Sequence, residues 1–153
     1  MSDDAVPAEA ALGHGYYFED LSPGMEASYS KVITAEDVDR FAVLSGDVNP
    51  VHVDEGFAAT TMFKKRIAHG FLTGALISTV LGTKLPGPGC IYLSQDMKFR
   101  APVYLGDEVT ATVKIASLDA AKSRVVLDCA CTVNGKPVIT GQAVVMVDRK
   151  EQA

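Results

Sequence analysis

Asp47 and His52 stand in the stretch Ser45-Gly46-Asp47-Val48-Asn49-Pro50-Val51-His52, where an Asn-Pro step separates a carboxylate from an imidazole. Carboxylate and imidazole together are the usual equipment for moving protons near neutral pH. A proline disfavours the α conformation at the residue before it, so Asn49 is expected to be extended. Asp47 and His52 then do not share one continuous helix, and a short bent loop can turn both toward one cavity. Each residue also has a plainer reading. Asp47 can bond its own backbone at a helix end or turn, and His52 can be a satisfied core histidine.

The elements around this loop can be read from spacing. Ser28 to Ile33 reads as a strand. Thr34-Ala35-Glu36-Asp37 looks like a capping box opening a helix, with Val38, Phe41, Ala42 and Ser45 on one side. Gly46 is placed to end that helix, so Asp47 begins the loop just beyond it. A second short helix is expected around Asp54 to Thr61. Lys64-Lys65-Arg66 is a tight basic cluster, read as a solvated turn or a phosphate contact. Phe71 to Thr83 is apolar nearly all round, which predicts a buried helix, and Pro86-Gly87-Pro88-Gly89 stops it.

The remainder reads as strands: Cys90 to Phe99, Glu108 to Ile115, Arg124 to Val133 and Val138 to Val147, with Asn134-Gly135 as a two-residue hairpin turn. One buried helix followed by a run of antiparallel strands is an α+β architecture. Residues 1–15 are expected to form a disordered tail, 16–148 a single domain and 149–153 a C-terminal tail.

Composition narrows the function classes. The chain has 153 residues, suited to one domain with a real core. Its net charge of -5 argues against nucleic acid or an anionic membrane as the main partner. No apolar run reaches the roughly 18 residues of a membrane span. The first dozen residues contain Asp3, Asp4 and Glu9 and no basic residue, unlike a signal peptide, so a cytoplasmic protein is expected. Cys90, Cys129 and Cys131 are expected to be free thiols, and no metal site is expected.

The Asp47-x-Asn49-Pro50-x-His52 stretch resembles the signature of MaoC-like, hydratase-2-type dehydratases, in particular the short (R)-specific enoyl-CoA hydratases associated with polyhydroxyalkanoate synthesis. The likeness extends to His69-Gly70, Leu81-Gly82, Leu85-Pro86-Gly87, Ile91-Tyr92-Leu93, Phe99-Arg100-Ala101-Pro102-Val103 and Gly106-Asp107-Glu108-Val109, spanning roughly residues 26 to 147. The element order is compatible with that family's hot-dog fold, a long central helix wrapped by a curved antiparallel sheet. The resemblance implies reversible hydration of trans-2-enoyl-CoA to (R)-3-hydroxyacyl-CoA, no metal or redox cofactor, and a homodimer whose sheets join edge to edge.

The resemblance makes Asp47 and His52 the acid–base pair, without deciding which is acid and which is base. It makes the Gly70 N–H the donor to the thioester oxygen, which suits a helix entrance where free N–H groups and the positive dipole end point outward. Glycine there also permits close packing. Ser78 is expected to contact the site or to bond the backbone one turn back. Asn49 shapes the turn and helps position the loop. Leu81, with Ile77 and Val80, is a core residue that is also a candidate for the acyl pocket. His69 is read as a brace for the turn before Gly70, and His14 receives no role. Lys64, Lys65, Arg66, Lys98 and Arg100 are candidates for the coenzyme A phosphates. The rival readings are a dehydratase acting on acyl carrier protein, a hot-dog thioesterase, and a non-catalytic acyl-binding module.

Overall fold

A long hydrophobic helix lies on one antiparallel sheet in this computed structural model, which describes residues 13–151. In chain order the elements are a 3₁₀ turn (Phe18–Asp20), β1 (Glu26–Val32), α1 (Ala35–Ser45), α2 (Pro50–Val53), α3 (Glu55–Ala59), α4 (Gly70–Thr83), β2 (Ile91–Gln95), β3 (Lys98–Phe99), β4 (Glu108–Asp119), β5 (Arg124–Val133) and β6 (Lys136–Met146). The sheet runs β1-β4-β5-β6-β2, with β3 also on β6, and every pairing is antiparallel. It is not closed into a barrel, so β1 and β2 are edge strands.

Alternation explains the inner face. Val109, Ala111, Val113 and Ile115 of β4 are buried, as are Val125, Leu127, Cys129 and Cys131 of β5. They meet Leu76, Ile77, Val80 and Leu81 of α4 in one core. Each Val, Leu or Ile among them stabilises the fold by about 1.5–3 kcal/mol when fully buried. Burial pushes the Cys129 thiol up to about 11 and the Cys131 thiol up to about 12, so both stay protonated at neutral pH and act as small hydrophobes. The three cysteines are free. The β5–β6 hairpin turns at Asn134 and Gly135, whose φ values of 51° and 77° are the left-handed pair that an Asn-Gly turn supplies.

Several elements depart from the expected layout. The stretch expected as one strand from Cys90 to Phe99 is two, interrupted at Asp96–Met97. The Asp96 carbonyl sits against Gly141 of β6 where any Cβ would clash, and the register also shifts between Tyr92 and Ser94. α4 is buried on one side only. Phe71, Ala75, Ser78 and Gly82 recur at helical spacing on its outer side and are exposed. One sheet covers one face of a helix, so an all-round apolar helix leaves a stripe uncovered in a single chain.

Residues 1–12 of the expected N-terminal tail lie outside the described residues. Residues 13–15, assigned to the same tail, are partly fastened: Gly15 N–H donates to the Pro88 carbonyl and His14 pairs with Asp148 at 3.0 Å. The C-terminal stretch is fastened as well. Arg149 lies over the Phe18 ring and Lys150 pairs with Asp20. No helix is long and apolar enough to cross a membrane among the described residues.

Candidate active site

Local sequence sets the loop that carries Asp47 and His52. Thr34 caps α1 and forms a reciprocal box with Asp37. Gly46 ends the helix at φ 80°, a conformation that favours glycine, and the chain reverses there. Ser45 donates to the Phe41 carbonyl and accepts from the Asp47 N–H. The Asp47 carboxylate accepts from the Asn49 N–H, and the Asn49 side chain caps Pro50–Val53 through the Val51 N–H. Pro50 at the first helical position is pre-set for this turn. His52 therefore sits on a one-turn helix, α2, where a bent loop was expected, while Asp47 remains outside it.

His52 is fixed by the segment leading into α4. Its Nδ1 lies 2.8 Å from the Ile67 carbonyl, which only accepts, so Nδ1 carries the hydrogen and Nε2 offers a lone pair. Burial lowers the His52 pKa below its ordinary value of 6.5. The Ile67 bond opposes this, His69 adds to the lowering and Asp47 opposes it weakly. The imidazole is thus neutral at pH 7 and able to take a proton. Arg66 donates from Nε to the His52 carbonyl and from a terminal nitrogen to Asp39 of α1. Arg66, a candidate for a coenzyme A phosphate, is instead engaged in holding this loop.

An apolar cavity of about 550 Å³ opens beside His52 and is walled by Phe63, Ile67, Gly70, Phe99 and Val103 among others. That volume is in the range of small-molecule sites. His52 and Gly70 both line it. Gly70 opens α4, and its N–H makes no hydrogen bond among the described residues. A Cβ on Gly70 would lie 2.5 Å from Phe99 Cε1, so glycine also serves close packing.

The structure brings together Asp47, His52 and Gly70, with Asn49 holding the turn. It does not bring Leu81 to the cavity wall: Leu81, Ile77 and Val80 are core. Ser78 faces outward on the uncovered stripe of α4, away from the lining. Among the basic candidates Arg100 lines the cavity, its Nε donating to Thr140, while Lys64, Lys65 and Lys98 are exposed.

Asp47, His52 and His69 offer donor atoms within 4.8 Å of one another. The His52 and His69 rings stack with centroids 4.0 Å apart, and each already commits one ring nitrogen to a backbone carbonyl, at Ile67 and Asp47. The arrangement suits proton transfer: a neutral imidazole and a helix N-terminus on the wall of an apolar cavity, with a carboxylate near the imidazole.

The chain is similar to known proteins in sequence and in fold. Residues 21–132 match the MaoC-like domain family. The chain belongs to that family. It is 54% identical to an (R)-specific enoyl-CoA hydratase of Rhodospirillum rubrum over 86% of this chain and 92% of the relative. It is 50% identical to a 3-hydroxybutyryl-CoA dehydratase of Methylorubrum extorquens, covering 90% and 87% of the two chains. The solved (R)-hydratase from Aeromonas caviae, described as involved in PHA biosynthesis, superposes with a TM-score of 0.82 at 44% identity, over 84% of this chain and 98% of that one. This MaoC-like protein has the hot-dog fold of that neighbour.

Proposed function

We propose that this MaoC-like protein hydrates trans-2-enoyl-CoA reversibly to (R)-3-hydroxyacyl-CoA. The observation that carries the reading is the free Nε2 of a neutral His52, near the Asp47 carboxylate, on the wall of the cavity that Gly70 also lines. The names of the relatives at 54% and 50% identity support the substrate class and the stereochemistry.

The proposed chemistry uses these groups in one sequence. A water molecule bonds to Asp47 through one hydrogen and gives the other to His52 Nε2 as its oxygen attacks C3. The C2–C3 π pair moves toward the thioester oxygen, where the Gly70 N–H and the α4 dipole hold the developing charge. The protonated His52 then returns the proton to C2, and Asp47 stabilises the transient imidazolium. Water adds without net oxidation, so the step calls for no redox cofactor. The direct test is crotonyl-CoA with purified protein, followed by loss of the enoyl-thioester absorbance and chiral analysis. Formation of (R)-3-hydroxybutyryl-CoA is expected. Release of free coenzyme A instead would mean a thioesterase. No reaction with crotonyl- or longer enoyl-CoA, but turnover of an enoyl-carrier protein, would mean a carrier-protein dehydratase.

The proposal includes a homodimer. β2 is an edge strand whose Ile91, Tyr92 and Leu93 are all exposed, and α4 presents Phe71, 68% exposed, with Ala75, Ser78 and Gly82, a stripe without charge. Uncovered apolar edges invite pairing. A second copy joined along β2 would cover the strand. Sedimentation equilibrium is expected to give the mass of two chains, and Leu93→Lys to shift it toward one. A monomeric wild-type protein would remove the dimer from the proposal.

A further inference from the structure

His69 occupies the N-cap position of α4, yet its side chain makes no capping bond. Serine, threonine, aspartate or asparagine would serve the helix better there. The ring is 2% exposed and its Nδ1 is buried with no partner among the described residues, a local cost. Its other contacts run to the candidate site. Nε2–H donates to the Asp47 carbonyl at 2.9 Å. The ring stacks on His52 with centroids 4.0 Å apart and planes 29° from parallel, and Phe41 packs against it at 4.8 Å. The next residue is Gly70.

We infer that His69 is a positioning residue, which ties the Asp47 main chain and backs the His52 ring so that the proton-transfer pair keeps one geometry relative to the Gly70 N–H. This rests on the reaction proposed above. One side chain connects Asp47 beyond α1 with His52 on α2, and its own main chain leads directly into Gly70 at the head of α4. Displacing reacting groups by about 1 Å can lower a rate 10²-fold, which sets the scale of what such a tie secures.

His69 also acts on the titration of His52. It lowers the His52 pKa and Asp47 raises it. Arg66 on the His52 carbonyl, Asp39 on α1, and Asp54 and Glu55 at the start of α3 stand on the neighbouring elements, and replacing His69 leaves them all in place. Without His69 the His52 pKa rises, and the acid limb of kcat/KM moves to higher pH.

The test compares His69→Phe, which keeps a ring and loses the N–H to Asp47, with His69→Gln, whose amide N–H can reach the same carbonyl. His69→Phe is expected to lower kcat by about 10–100-fold, with KM little changed. His69→Gln is expected to recover most of that loss. In both, NMR titration of His52 is expected to give a pKa above that of wild type. Wild-type kcat in a folded His69→Phe, no advantage of glutamine over phenylalanine, or an unmoved His52 titration overturns the assignment. If His69→Phe does not fold, His69→Gln decides alone: turnover as low as that of His52→Asn, or an unmoved titration, overturns it. Failure of the reaction itself reads differently. Wild-type protein would then be inactive or His52→Asn fully active, and the NMR titration would still test the placement of His69.

Discussion

Replacing His52 with asparagine is expected to lower kcat for enoyl-CoA hydration by about 10²–10⁴, the range of a positioned proton-transfer group. Asparagine is the informative choice because its amide N–H lies near the position of Nδ1 and can keep the bond to the Ile67 carbonyl. The turn survives and only the lone pair at Nε2 is lost. Asp47→Asn is expected to be damaging on the same scale, and for a similar reason it separates two roles. Its side-chain oxygen can still accept from the Asn49 N–H, so the turn is retained while the carboxylate charge is removed. Near-normal turnover by either variant, with an unchanged unfolding temperature, would exclude that residue from proton transfer.

The pH profile adds a directional test of the same pair. The His52 pKa is lowered by burial, so the base form persists below 6.5 and the acid limb of kcat/KM falls at lower pH than for an ordinary histidine. Asp47 raises the His52 pKa, so Asp47→Asn moves that limb further down, whereas replacing His69 moves it up. An acid limb at or above 6.5 in the wild-type enzyme would contradict the neutral, half-buried His52.

Removing the Gly70 N–H is expected to cost about 10²–10³ in kcat, the usual worth of one oxyanion donor. Proline can remove it without breaking α4. The first helical position tolerates proline, and His69 at φ -60° and ψ 137° already has the extended backbone that a following proline needs. Added bulk at Gly70 would meet the Phe99 ring, so the comparison belongs in a Phe99→Ala background. There, Gly70→Ala keeps the N–H and Gly70→Pro loses it. Equal rates for the two would show that glycine serves packing alone.

Much of this was legible in the chain. Thr34 with Asp37 announces the start of α1, Gly46 its end, and Asn134-Gly135 the β5–β6 turn, because each rests on bonds or dihedrals within a few residues. The alternation of β4 and β5 follows from one buried face. The Asp47-x-Asn49-Pro50-x-His52 spacing announced a break in the helix beyond Gly46, and the same residues supply its turn bonds.

Less local features were not legible. The break between β2 and β3 depends on Asp96 meeting Gly141, residues far apart in sequence. Arg66 looked like part of a surface cluster, but it reaches Asp39 and the His52 carbonyl across the fold. Leu81 and Ser78 are both plausible on a uniformly apolar helix. Which side of α4 meets the sheet, and so which residue is core and which is left uncovered, is set by packing against β4 and β5. His69 was legible as a brace ahead of Gly70, but its reach to the Asp47 carbonyl and the His52 ring was not, because those lie about twenty residues earlier in the chain.

The sequence by itself determined the caps, turns and alternating faces, and the presence of an acid and a base five residues apart on one short segment, since these depend on neighbouring residues. Only the tertiary structure decided that the free nitrogen of His52, the carbonyl of Asp47 and the N–H of Gly70 are gathered around His69 beside one apolar cavity. That assembly depends on distant segments meeting: packing of the core brings the Asp47 carbonyl to within hydrogen-bond reach of His69 and the His52 ring into stacking contact with it.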